Sequence, residues 1–228
     1  MDSPTTIRLG ARARQRITAE GLQAADVAII PAAAGGPKGL ILHGIDNWLF
    51  GEWLPSAPRQ RKLIEASIGS WRMAHGALRI AAAAFHDPVA AHKRLAYHYS
   101  HQTYPDKVDA AYLTRACITL LDEVLDGRAA EPLSNPHYQL SVITVRGIGA
   151  LGRTRGSRWR EMAGFLLAAG GNAVSRGRLA SSLERVVFHD ARDDMAWLRG
   201  SFDSFASHFV GLTESNMRDA LLESGSIP

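Results

Sequence analysis

The chain has 228 residues, 46% of them hydrophobic and 21% charged, with a formal net charge of +4 at pH 7. That is enough chain for one sizeable core or at most two small ones, and a mild basic excess that suits an anionic surface and equally a solvated face, without specifying a nucleic-acid partner. The single cysteine, Cys117, excludes a disulfide framework or a cysteine-based metal centre within one chain, and the longest nearly apolar run, AGFLLAAGGNAV at 163–174, is too short to span a bilayer.

The N-terminal MDSPTTIRLGARARQR lacks the apolar stretch of a secretory signal, so a cytoplasmic protein able to touch a membrane surface is expected. Within the polar first 25 residues, TAEGLQAAD suggests a short helix. VAIIPAAA (27–34) reads as a buried strand, β-branched and uncharged. KGLILHGIDNWLF (38–50) carries Leu40, Ile41, Ile45, Trp48 and Leu49 at helical spacing, and GEWLPSAPRQ is a loop marked by Pro55 and Pro58. KLIEA (62–66) reads as a short strand and SWRMAHGALRIAAAAF (70–85) as a helix. Asp87-Pro88 opens the next helical region. VAAHKRLAYHYSHQTY and AAYLTRACITLLDEVLDG follow as two helices, the second stopped by Gly127. YQLSVITV (138–145) is a strand, WREMAGFLLAAGGNAVS a helix, LERVVFHD (183–190) contains a strand, and NMRDALLESG (216–225) is the last helix. Strands alternating with helical segments predict one α/β domain over 1–228, with a mainly parallel sheet flanked by helices.

Two short stretches carry chemistry. In AAAGGPKGL, Gly35 and Gly36 leave their backbone N–H groups unscreened, Pro37 restricts the residue before it, and a helix is expected from Lys38. A helix N-terminus offers unpaired donors and a partial positive charge, so Gly35, Gly36, Lys38 and Gly39 form either an anion cradle or a bare tight turn. The stretch is not a phosphate loop of the G-x-x-x-x-G-K-[ST] form, because Gly39 follows the lysine. About thirty residues on, Glu65-Ala66-Ser67-Ile68-Gly69 sits between a strand and a helix, where a G-x-S-x-G nucleophile elbow belongs. Gly69 matches that pattern and Glu65 does not; a glutamate there must point outward or distort the turn. In a parallel sheet with right-handed crossovers both turns lie at the carboxyl edge, and the amides near Gly35 and Gly36 can face an oxyanion formed when Ser67 attacks.

Taken together, the loop Ala34-Gly35-Gly36-Pro37-Lys38-Gly39 and the elbow at Ser67 resemble the patatin-like phospholipase family, which joins a G-G-G-x-[KR]-G oxyanion loop to a G-x-S-x-G elbow. ASIGSWRMA is similar to a bacterial branch in which a Trp-Arg pair follows the elbow. LTESNMRDALLESGSIP (212–228) is similar to the family segment in which a helix runs into a small-residue turn closed by proline, so the resemblance extends over nearly the whole chain. It implies a three-layer α/β/α fold and a serine acyl hydrolase acting on lipid ester bonds. Ser67 would be the nucleophile, with Gly35, Gly36 and the loop through Lys38 and Gly39 as oxyanion hole, and no cofactor or metal. It also implies a Ser-Asp dyad whose aspartate lies in an Asp-Gly-Gly or Asp-Gly-Ala turn beyond the terminal helix and proline. The 228 residues contain neither tripeptide, and Asp126-Gly127 reads as a helix end. The expectation is therefore an impaired hydrolase lacking the C-terminal strand that bears the base. The alternative is a non-catalytic relative that holds lipid or a partner, and a weaker third reading is a phosphate binder.

Other motifs read as decoys. RGIGALG contains Gly147-Ile148-Gly149-Ala150-Leu151-Gly152, but no acidic residue stands about twenty positions on as a dinucleotide site needs. The arginines of the 153–160 loop, with Trp159, suit peripheral contact with anionic lipid or simply a solvated loop. His98 and His101 are spaced i and i+3 without the carboxylate of a metal helix. Ser67, Asp203 and His208 have triad order, yet the last two lie only five apart in one apparently helical stretch. His189-Asp190 ends a strand and carries no specific role. Trp48, Trp53, Trp71 and Trp197 suit core or lid contacts.

Overall fold

The computed structural model describes residues 8–78, 109–125, 127–149, 180–202 and 206–225. The helices expected over 89–104 and 159–175, together with His98, His101, Asp203 and the Arg-rich 153–160 loop, lie outside the described residues. Five strands form one sheet in the order β1 (Ile29–Ala32), β2 (Arg61–Ala66), β3 (Tyr138–Gly147), β4 (Leu183–Asp190) and β5 (Ser207–Leu212). The first three are mutually parallel, β4 runs antiparallel to β3, and β5 is parallel to β4. The protein is thus α/β with a mostly parallel sheet.

The two-residue alternation of β2 divides the sheet's faces. Leu63 joins Ala32, Leu140, Val142 and Leu212 on one face. Covering them are α3 (Ile68–Gly76), α4 (Ala110–Leu125) and α7 (Glu214–Gly225), through Trp71, Met73, Leu121, Met217 and Leu221. On the opposite face Ile64 meets a smaller cluster of Val187, Met195 and Leu198, the last on α6 (Ala196–Arg199). Every residue of α3 is buried, so the helix after Ser67 is the central helix of the main core. Among the described residues no helix is long and apolar enough to cross a membrane.

Four departures from the sequence reading have physical causes. The segment 27–34 is not a fully buried strand: β1 is an edge strand with Ile29 and Pro31 exposed, and an edge is where a residue without N–H costs no ladder bond. Residues 38–50 do not form one regular helix. A 3-10 turn (Gly36–Leu42), α2 (His43–Trp48), a π-type turn (Leu49–Trp53) and a second 3-10 turn (Leu54–Ser56) follow one another, leaving Ile41, Ile45 and Trp48 exposed. Trp48 stacks on Trp53 at 5.1 Å instead. At the N-terminus α1 is Ala11–Glu20, earlier than TAEGLQAAD suggests, and only a short 3-10 turn covers Ala24–Asp26. His208 belongs to β5, not to a helix, because SHFVGL pairs with β4 from Arg185 to Asp190.

Candidate functional site

Strand β2 ends at Ala66, and Ser67 turns the chain into α3 with φ 56° and ψ −132°. Among the described residues only Met195 shares a positive φ without being glycine. Such a conformation costs a side chain-bearing residue about 1–3 kcal/mol, and it marks Ser67 as more than a helix start. Serine is a favoured N-cap because its hydroxyl, from extended backbone, accepts from the helix's first amides. Ser67 has neither that backbone nor any capping bond from its side chain. Its carbonyl instead accepts from Ser70, at 2.9 Å from the amide and 2.6 Å from the hydroxyl.

Because β1 and β2 are parallel, the glycine loop after β1 and the serine after β2 emerge at one sheet edge. They are packed together. Gly36 adopts φ 52°, where glycine carries no Cβ penalty. A Cβ at Gly39 would stand 2.6 Å from Ile68 Cγ2, so the loop presses on the residue that follows the serine. A Cβ at Gly69 would collide with the carbonyl of Ala32, the last residue of β1. Bare glycine at both positions lets loop, strand end and helix N-terminus meet. Gly35 and Gly36 are exposed, Lys38 is exposed, and Gly39 is buried.

Two further bonds hold this arrangement. Asp46 on α2 and Arg72 on α3 form a buried bidentate pair, with Nε to Oδ2 at 2.6 Å and Nη2 to Oδ1 at 2.5 Å. The segment leaving the glycine loop is thereby clamped to the helix leaving the serine. Trp71 donates its indole N–H to the Leu221 carbonyl on α7 at 2.9 Å. The Trp-Arg pair after the elbow thus anchors α3 in two directions.

Comparison of the chain with family models, with curated proteins and with solved structures finds no match. The site therefore stands on its own geometry.

Glu65 departs from the outward-pointing or turn-distorting side chain expected of it. It lies on the same face of β2 as Leu63, 1% exposed, with neither carboxylate oxygen hydrogen-bonded. Burial pushes its carboxyl well above the usual carboxylate range, so it sits in the core as a neutral acid. The elbow conformation at Ser67 forms regardless, because alternation sends the glutamate inward, away from the turn's surface.

The triad partner considered for Ser67 is not brought to it. His208 pairs with Glu184 at 2.9 Å, and hydrogen bonding to Arg146 and then to His208 holds the Glu184 carboxyl below its ordinary range. β5 is three strands from β2 in the sheet order, or roughly 14 Å at about 4.8 Å per strand, beyond hydrogen-bond reach of Ser67. Cys117 is half-buried, and desolvation raises its thiol pKa, which makes it a poor nucleophile. Among the described residues no cluster of three or more metal-ligating side chains occurs.

Sequence reasoning missed Asp46, which looks like any polar residue of an amphipathic segment, and Ser224, discussed below. The Trp-Arg pair was the available signal for the first, since a buried arginine demands an anion.

Proposed function

We propose that the protein is a patatin-like serine acyl hydrolase acting on lipid ester bonds, with Ser67 as nucleophile. The observation that carries this reading is the conformation of Ser67, φ 56° and ψ −132° between β2 and α3, beside a glycine loop packed on the residue that follows it. A purely structural turn gains nothing from strain at a serine, whereas a nucleophile lifted off a strand end reaches substrate. In the proposed reaction the Ser67 oxygen attacks the acyl carbonyl, and its proton goes to a base. The oxyanion is met by the N–H of Ile68 and those around Gly36. Collapse expels the alcohol, which takes the proton back from the base, and leaves an acyl-serine, which water hydrolyses to the free acid and the restored hydroxyl. Lys38 adds positive charge at the loop, and an exposed surface beside the site suits an anionic lipid.

The base has no supplier among the described residues: the hydrogen bonds of Ser67 run through its main chain, and Glu65 is turned into the core. That observation favours a second reading, a non-catalytic relative that uses the same cleft to hold lipid or a partner. One experiment separates the two. A fluorophosphonate probe reports an activated serine directly. Labelling of the wild type that disappears in Ser67→Ala supports the hydrolase, with an expected loss of about a thousandfold or more in rate. Labelling that survives the substitution removes Ser67 as nucleophile, and a blank wild type that still binds ester-lipid vesicles supports the holding role.

A further inference from the structure

The strained turn at Ser67 needs something to hold it. The amide of Ser67 is the first N–H after β2, past the last sheet pair, Ala66 with Ile143. It does not continue the ladder. It donates to the Ser224 hydroxyl at 2.8 Å, and that hydroxyl donates in turn to the Ile143 carbonyl of β3 at 2.8 Å. One side-chain oxygen is therefore inserted between two parallel strands where they part. It satisfies a donor and an acceptor that would otherwise be orphaned at the mouth of the site. Ser224 comes from the last turn of α7, whose seat is fixed beside it. Trp71 bonds the Leu221 carbonyl, and a Cβ on Gly225 would lie 3.2 Å from the Trp71 ring.

We infer that Ser224 is a positioning residue for Ser67: its hydroxyl sets the backbone conformation that presents the nucleophile. The inference rests on the acyl-hydrolase reading of Ser67. Alanine at 224 leaves the Ser67 amide and the Ile143 carbonyl without their shared partner, and the turn relaxes toward an ordinary helix cap, with the hydroxyl swung from the oxyanion loop. Small displacements of a reacting group cost up to about a hundredfold in rate.

The test compares wild type, Ser224→Ala and Ser224→Thr by fluorophosphonate labelling, separating the maximal labelling rate from the half-saturating probe concentration. Amide hydrogen exchange at Ser67 is followed in parallel. Expected for Ser224→Ala is a maximal rate lower by about ten- to a hundredfold. Half-saturation should be unchanged and the Ser67 amide should exchange faster, with both rate and protection restored by threonine. A rate equal to wild type in Ser224→Ala, or a loss that threonine does not restore while the amide stays protected, overturns the assignment. A wild type that is itself unlabelled overturns the hydrolase reading first, and the role of Ser224 with it, and so differs visibly from failure of Ser224 alone.

Discussion

The two edges of the sheet are built on opposite rules. At the edge where β2 and β3 begin, arginines close the backbone down. Arg61 donates to the carbonyls of Ala24 and Ala57 at 2.9 and 2.8 Å, tying the segments before β1 and β2 to the sheet. Arg192 reaches Asn135 and Tyr138 carbonyls at 2.7 and 3.0 Å while its Nε meets Asp190 at 2.8 Å. Hydrogen bonding to Asp190 raises the pKa of that guanidinium, as a well-paired cation's should be. At the other edge a serine is strained, glycines replace side chains, and the acid beneath the serine has no partner. One edge spends its polar groups on stability. The other also buries the Asp46–Arg72 pair, but at the turn itself it leaves Ser67 strained and Glu65 unpaired, as a surface that must meet a substrate does.

That contrast breaks most visibly at its two arginines. Arg72→Ala strands Asp46 as a buried unpaired carboxylate, so a stability loss of about 3–5 kcal/mol is expected in urea unfolding. Labelling of the folded fraction should also slow by about tenfold, because the clamp between the loop segment and α3 is gone. Arg192→Ala is the matched substitution at the other edge. Its side chain is about one-third exposed, so a smaller loss of about 1–3 kcal/mol is expected. Its labelling rate per folded molecule should stay at the wild-type value. Equal effects of the two on labelling would mean that the edges are not functionally distinct.

Parts of this division were legible in the sequence. Strands β2, β3 and β4 announce themselves as short runs rich in apolar residues, and Ser67 between KLIEA and SWRMAHG reads as an elbow because strand, turn and helix are local. The glycine loop was legible for the same reason. What failed depended on distance. Ser224 acts on a residue 157 positions away, and no local pattern distinguishes its hydroxyl from that of a surface serine. β5 escaped notice because SHFVGL is short, contains Gly211 and lies at an edge, where pairing with β4 outweighs weak propensity. The stripe Ile41, Ile45 and Trp48 has helical spacing and yet faces outward, since periodicity states that residues share a side and not which side is covered.

Glu65 sharpens the comparison through pH. Its carboxyl is raised by burial, so between the ordinary glutamate range and the raised value the unfolded chain has lost a proton that the folded protein keeps. The folded state binds more protons there, and its stability falls as pH rises through that window. In Glu65→Gln this slope disappears. The stability of the variant relative to wild type should therefore grow with pH from the ordinary glutamate range upward, until the raised value is passed. Chemical unfolding of both proteins at a series of pH values reads the difference directly. Two parallel curves would show that Glu65 is as solvated when folded as when unfolded.

The smallest effect is the most discriminating. At φ 56° and ψ −132° glycine is at ease and serine is not, so Ser67→Gly should stabilise the fold by about 1 kcal/mol while abolishing labelling. Ser67→Ala keeps a Cβ in the same conformation and should abolish labelling with no gain in stability. If the strain is a by-product of packing, relief in the glycine variant would be absorbed by the Ser224 and Ser70 bonds and the two variants would unfold alike. If it is imposed by that scaffold, the glycine variant unfolds at higher urea than both alanine variant and wild type. A stabilising substitution that removes the chemistry is the sign of a residue held in its conformation for what its hydroxyl does.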